Sequence, residues 1–261
     1  MTFYVSGSAM TDPGDAPYVP NLTRNLYMNF NASIDAPNNN ALVENLIFRG
    51  NAPLLDRTFN KKRGALLAYP VSVGGSDPHI QFDGGAAISN SNDPGGTGSY
   101  ATVSNNLTLA IRVKVNNWIP PSGDTAGFIR GVSARSAGIR YGTSGVEGSL
   151  RVSGGVIVSG SPAPSVILQT DVKTDVWATL IASYSDTLPT LFLAGNADPV
   201  AISLTAGTNI QGIGFGSAVN NAISAAAKFG MSHFAMWDRA LTAEEMVLAR
   251  DLWNNGMDIQ S

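Results

Sequence analysis

The sequence predicts an all-β protein, a two-sheet antiparallel sandwich with one short helix at its C-terminal end. Three observations carry this. Short apolar runs with strand periodicity recur from Leu26 to Trp237, separated by Gly, Asn, Asp, Ser and Pro. Helical periodicity shows clearly in one place only, after Thr242. Of the 261 residues, 44% are hydrophobic and only 13% charged. A single large core is therefore within reach, with small uncharged residues supplying the polar surface, as suits many strands joined by turns.

Residues 1–25 read as an extended arm, because Pro13, Pro17 and Pro20 with Gly14 and Asp15 favour irregular backbone. The sandwich is expected to occupy 26–261. Its clearest strand is LTLAIRVKV, where Leu107, Leu109, Ile111, Val113 and Val115 alternate with Thr108, Ala110, Arg112 and Lys114. That period of two predicts one dry and one wet face. VWATLIASY, from Val176 to Tyr184, is apolar on both faces and reads as a central strand, with PTLFLAG closing a hairpin against it.

Further strands are expected at 26–30, 65–73, 79–83, 127–133, 149–154, 165–169, 201–204, 210–216 and 228–237. Roughly a dozen strands in one chain argue for a sandwich. The Gly/Ser-rich stretch at 84–99 reads as a long loop.

The terminal helix opens on Thr242 and Glu245, the spacing of a capping box. Met246, Leu248, Ala249, Leu252 and Trp253 are expected on its buried face, and Asn254-Asn255-Gly256 supplies the stop. The acids here suggest catalysis at first sight. However, neighbouring helical residues point about 100° apart, so Glu244 and Glu245 cannot address one bond together. Glu245 is committed to the cap, and His233 reads as an ordinary strand residue.

FAMWDRALTAEEM resembles the closing motif of laminin G-like jelly rolls in the concanavalin A-like lectin/glucanase superfamily. The matching positions are Phe234, Trp237, Asp238, Arg239, Ala240, Leu241, Thr242, Glu244 and Glu245. HIQFDGG resembles that family's strand running into Asp-Gly, with Phe82, Asp83 and Gly84 in place. LTLAIRVK is similar to its Phe-Thr-Ile-x-x-Trp-Val-Lys strand, except that Arg112 stands where Trp is usual. VWATLIASY with LFLAG resembles its Trp-containing strand and following hairpin, keeping Trp177 and Gly195, and IQGIGFG matches a later strand. The resemblance spans about residues 26–255 and implies a concanavalin A-like jelly roll.

Several chemistries are excluded or left weak. The superfamily's glucanases use a Glu-x-Asp-x-Glu strand, and the glutamates here, at 44, 147, 244 and 245, form none. The two histidines, His79 and His233, stand near no Gly-x-Ser-x-Gly elbow. The sequence thus predicts no enzyme and no catalytic residue, although paired Asp residues from separate loops leave glycan hydrolysis as a third alternative. Cysteine is absent, which removes disulfides and thiolate zinc sites. A net charge of −3 without a basic stripe argues against nucleic acid, and no apolar run reaches the ~20 residues that span a bilayer.

Tyr100, Asn117, Trp118 and Tyr141 lie in or beside predicted loops and are the candidates for carbohydrate binding. By contrast, Trp177, Phe192, Phe234 and Trp237 are expected in the core. Calcium is the one cofactor considered, since laminin G-like relatives often bind it, with Asp83 and Asp93 as candidate ligands. The N-terminus lacks the basic start and apolar stretch of a secretory signal, so synthesis in a cytoplasm is expected. Low charge, no Cys, no signal and a Pro-rich arm suit a phage virion component. Two functions stay open: a lectin-like virion-surface protein (decoration or tail/fibre-associated) binding glycans, or a purely structural assembly protein. In either case the arm would join other virion proteins and the chain would form a homo-oligomer within the assembly.

Overall fold

The structure, a computed structural model, describes residues 20–36, 40–60, 68–84, 86–90, 106–118, 127–131, 137–154, 164–204, 212–216 and 228–259. The first half of the described chain forms α1 (Pro20–Thr23), β1 (Leu26–Asn31), α2 (Ala32–Asp35), β2 (Ala41–Leu42), β3 (Leu46–Ile47) and α3 (Leu54–Arg57). Next come β4 (Thr58–Phe59), β5 (Val71–Val73), β6 (His79–Asp83), β7 (Ile88–Ser89) and β8 (Leu107–Val115). The second half forms β9 (Gly127–Gly131), β10 (Gly138–Tyr141), β11 (Ser149–Ser153), β12 (Ser165–Gln169), β13 (Trp177–Tyr184) and β14 (Thr190–Ala194). It ends with β15 (Val200–Ile202), β16 (Ile213–Phe215), β17 (Lys228–Trp237) and α4 (Ala243–Asn254).

The predicted class is the observed one. A nine-stranded antiparallel sheet runs β15-β14-β13-β8-β17-β6-β5-β2, with β1 also paired to β17, and faces a six-stranded sheet ordered β12-β11-β10-β9-β16-β7. The long β17 shares one edge between two partners: Lys228–Met231 pair with β6, and His233–Trp237 with β1. Between the sheets Phe30, Phe48, Phe59, Phe215 and Phe234 pack ring on ring, with Phe82 and Phe229 stacked at 4.6 Å beside them. Aromatic packing on this scale gives the core both its area and its fixed geometry.

A second, smaller core lies on the outside of the nine-stranded sheet, under α4. Met246, Ala249, Leu252 and Trp253 cover Ala110, Ile181, Leu193, Ala235 and Trp237. The capping box at Thr242 and Glu245 forms as expected, and Glu245 also accepts from Arg239 at 2.7 Å. Two expectations need correcting here. Leu248 is 36% exposed and does not belong to the buried face, because it lies at the edge of that arc, about 100° from Ala249 and about 200° from Met246. Thr108 and Ala110 are fully buried, so the wet face expected for β8 is dry along half its length.

The turn before the helix is stapled down by Thr108. Its hydroxyl accepts from the Leu241 backbone N–H at 2.9 Å and donates to the Arg239 carbonyl at 2.9 Å. Residues 20–25, the end of the expected arm, dock on the same region. Leu22 is buried, and its carbonyl accepts from Trp237 Nε1 at 2.6 Å. Residues 1–19 lie outside the described residues. At the far end Arg49 bridges Asp35 (3.0 Å) and Asp258 (2.7 Å), tying the segment after α4 to the strands.

Candidate functional site

Where α4 ends, the outer face of the nine-stranded sheet turns polar. The strand registers place Asn31 on β1, His233 on β17, Arg112 on β8 and Thr179 on β13 side by side in one row. Period-two alternation alone would put Met231 and His233 on the same face. A register shift between Met231 and His233 breaks that pattern. Met231 consequently joins Phe234 and Met236 in the inter-sheet core, while His233 turns outward under the helix. Sequence alternation missed this, because a bulge has no signature in the apolar pattern.

His233 stacks on Trp253, with ring centroids 5.4 Å apart, and its Nδ1 lies 3.0 Å from Ser232 Oγ. Burial first, then the positive charges of Arg112 and Arg49, push its pKa down to about 3, so the ring is neutral. Arg112 donates from Nη1 to Ser232 Oγ at 3.3 Å. Half-buried, it is less willing to stay charged than usual because of desolvation, against which only Asp77 works.

One row further along, Trp177 stands opposite Lys114 in the register and lies beside Arg112. Its Nε1 donates to Asp77 Oδ1 at 2.8 Å, which fixes the indole across the sheet. Gly230 makes room for His79 beside the indole: a Cβ there would clash with His79 Cδ2 at 2.9 Å and touch the indole at 3.4 Å. Arg112 Cζ and Lys114 Nζ each lie 4.9 Å from the centre of the indole. Lys114 also pairs with Asp77, and His79 meets the indole edge-on at 5.7 Å. Burial would raise the Asp77 carboxyl, but hydrogen bonds from Lys114 and Trp177 outweigh it and hold the group below the usual carboxylate range.

This face therefore combines a partly exposed aromatic, two cations, one carboxylate and a hydroxyl. Such a set recognises a hydroxyl-rich or anionic ligand by hydrogen bonding. Acid–base cleavage of a glycoside uses two carboxyl groups across one bond, and this cluster of residues holds one, Asp77. Trp177 was expected in the core. It is instead the one tryptophan that keeps partial exposure, since Trp118, Trp237 and Trp253 are buried.

The candidates chosen from the sequence fall elsewhere. Trp118 and Tyr141 are each 5% exposed and pack edge-to-face at 5.9 Å, so neither offers a face for stacking on a sugar. Both complete their hydrogen bonds internally, Trp118 to Thr174 Oγ1 (3.0 Å) and Tyr141 to the Lys228 carbonyl (3.3 Å). A position beside a loop did not distinguish an edge-sealing aromatic from an exposed one. Asn117 is half-buried, next to Trp118 in the chain. Tyr100 and Asp93 lie outside the described residues. Asp83 is exposed and pairs with Lys228 at 3.6 Å. Among the described residues no group of three or more His, Cys, Asp or Glu side chains converges. Among them, too, no helix is long and apolar enough to cross a membrane.

No protein-family profile and no characterised protein sequence matches the chain. Solved structures do. The binding domain of Paraclostridial Mosquitocidal Protein 1 superposes with a TM-score of 0.58 at 13% identity, over 90% of this chain and 53% of that one. The receptor binding domain of botulinum neurotoxin D gives 0.56 at 10% identity, over 88% and 53%. A Trypanosoma rangeli sialidase gives 0.55 at 11% identity, over 88% of this chain and 33% of the enzyme. These likenesses show a shared β-sandwich fold. The chain spans about half the length of the two binding domains and a third of the sialidase.

Proposed function

We propose that this chain is a non-catalytic glycan-binding module of the concanavalin A-like superfamily, displayed on a virion surface as a decoration or tail/fibre-associated protein. The observation that carries the glycan-binding part is the Trp177 cluster. Protein folding normally buries so large a ring. Here it is held on an outer face by Asp77, with charged donors and a hydroxyl around it. Polar groups placed around an aromatic surface are what saccharide recognition requires. The binding domains among the structural neighbours favour the same reading through the shared sandwich.

The virion assignment rests on composition and on the N-terminal segment. Its docked end, from α1 to Asn25, would lead an arm toward other virion proteins, with the chain acting as a homo-oligomer in the assembly. A glycan array with the full chain tests the binding function, with and without calcium. Binding is expected, with loss in Trp177→Ala. A wild-type protein that retains no saccharide would sink the proposal and leave the structural assembly role. That role is tested by deleting residues 1–19: incorporation into virions should fall, and full occupancy would remove the arm from the account.

A further inference from the structure

We infer that the ligand of the Trp177 face is an acidic saccharide whose carboxylate is bound by Arg112. This rests on the glycan-binding reading and narrows it to sugars that carry a carboxylate.

Among the described residues the charges on this face do not balance. Arg112 and Lys114 contribute two cations, and Asp77 is the carboxylate that faces them. Asp77 is already engaged, with Lys114 on Oδ2 and the Trp177 indole on Oδ1. Among the described residues the hydrogen bond of Arg112 goes to a neutral hydroxyl, that of Ser232, and its buried Nε meets no acceptor. Its neighbours in the row, His233, Asn31 and Thr179, bring no negative charge, and His233 is kept neutral.

A half-buried guanidinium that meets no free carboxylate is costly to the fold, and an anion at its Nη edge, the Nε being enclosed, offsets that cost. Partial burial lowers the local dielectric and strengthens its attraction for an incoming anion. The indole orients the planar group, so that little side-chain entropy remains to be lost on binding. A planar guanidinium fork matches a carboxylate better than it matches a lone hydroxyl. The sugar ring that bears the carboxylate would then lie toward Trp177 and Asp77, the latter accepting from ring hydroxyls.

The test uses the full chain and pairs of oligosaccharides differing only at the carboxyl: uronate- and sialate-containing glycans, each with its methyl ester. Affinities are measured calorimetrically for the wild type, Arg112→Gln and Arg112→Lys, and folding of each variant is checked by circular dichroism. The wild type should prefer the acid over its ester by about tenfold or more, the worth of a charge-assisted pair. That preference should weaken with salt, collapse toward unity in Arg112→Gln, and return in part in Arg112→Lys. Two results would overturn the inference while leaving glycan binding intact: equal affinity for acid and ester, or an acid preference that survives in folded Arg112→Gln. Absence of binding to every glycan would overturn both readings together.

Discussion

His233 and Trp253 lie face to face, centroids 5.4 Å apart and ring planes 28° apart, joining the last long strand to the terminal helix. This places an ionisable ring in a buried stack within the field of Arg112 and Arg49. In the unfolded chain a histidine titrates near about 6.5, whereas the folded His233 does so at about 3. Between those values the unfolded chain binds a proton that the native state refuses. Stability is thus complete above about pH 6.5 and declines as pH falls toward 3, by up to ~1.4 kcal/mol per pH unit. Urea unfolding between about pH 7 and pH 4.5, above most carboxylate titrations, should show this slope in the wild type. His233→Gln should flatten it, and an unchanged slope would mean that another group drives the acid limb.

The hydroxyl of Thr108 serves two backbone groups in the turn leading to α4. Thr108→Val keeps the shape but leaves the buried Leu241 N–H without its acceptor. The expected cost is about 1–3 kcal/mol in chemical denaturation. A loss below about half a kcal/mol would show that the turn holds without this staple.

Trp253→Ala should be the most damaging single truncation on the helix, because it removes both the stack on His233 and the centre of the smaller core. A loss of about 3–5 kcal/mol is expected from area and cavity together. Thr242→Ala, which removes only the capping hydroxyl, should cost about 1 kcal/mol. Thermal melts of the two variants side by side would expose an error in this ranking.

Gly230→Ala tests the proposed glycan-binding face with little change to the fold. The added methyl would clash with His79, which meets the indole edge-on, and only touch Trp177, so His79 must give way and the indole loses that support. The structure predicts weakened glycan binding and altered tryptophan fluorescence with near-normal melting. Undiminished affinity would show that the indole position does not matter for recognition.

The long strands were legible because their side chains alternate over enough residues to show a period. Expected strands at 79–83, 107–115, 165–169 and 228–237 coincide with β6, β8, β12 and β17. β2, β3, β4 and β7 are two residues long and carry no period to detect. β10 was hidden by its first residue, Gly138, and by Gly142 just past its end, which suggest a turn. The one-turn helices α1, α2 and α3 are too short for a helical pattern. α4 was readable from its cap, although Leu248 was assigned to the wrong side.

The site was much less legible than the fold. Arg112 was noted only as a departure from an expected Trp, and Trp177 as a core residue. Their partnership depends on register between β8 and β13, which no local pattern encodes. Asp77 and Gly230 gave no signal at all, being a turn acid and one glycine among many.

By itself, then, the sequence determined the all-β sandwich, its long strands and its capped terminal helix, because local periodicity and capping are written in consecutive residues. Only the tertiary structure decided which face stays open. Helix α4 dries one half of the outer face, and the bulge beside Ser232 turns His233 outward beneath it. Strand register then gathers Asp77, Arg112, Trp177 and Ser232 from distant parts of the chain. Those are consequences of packing between elements, where the exposure of a side chain is set by its neighbours in space.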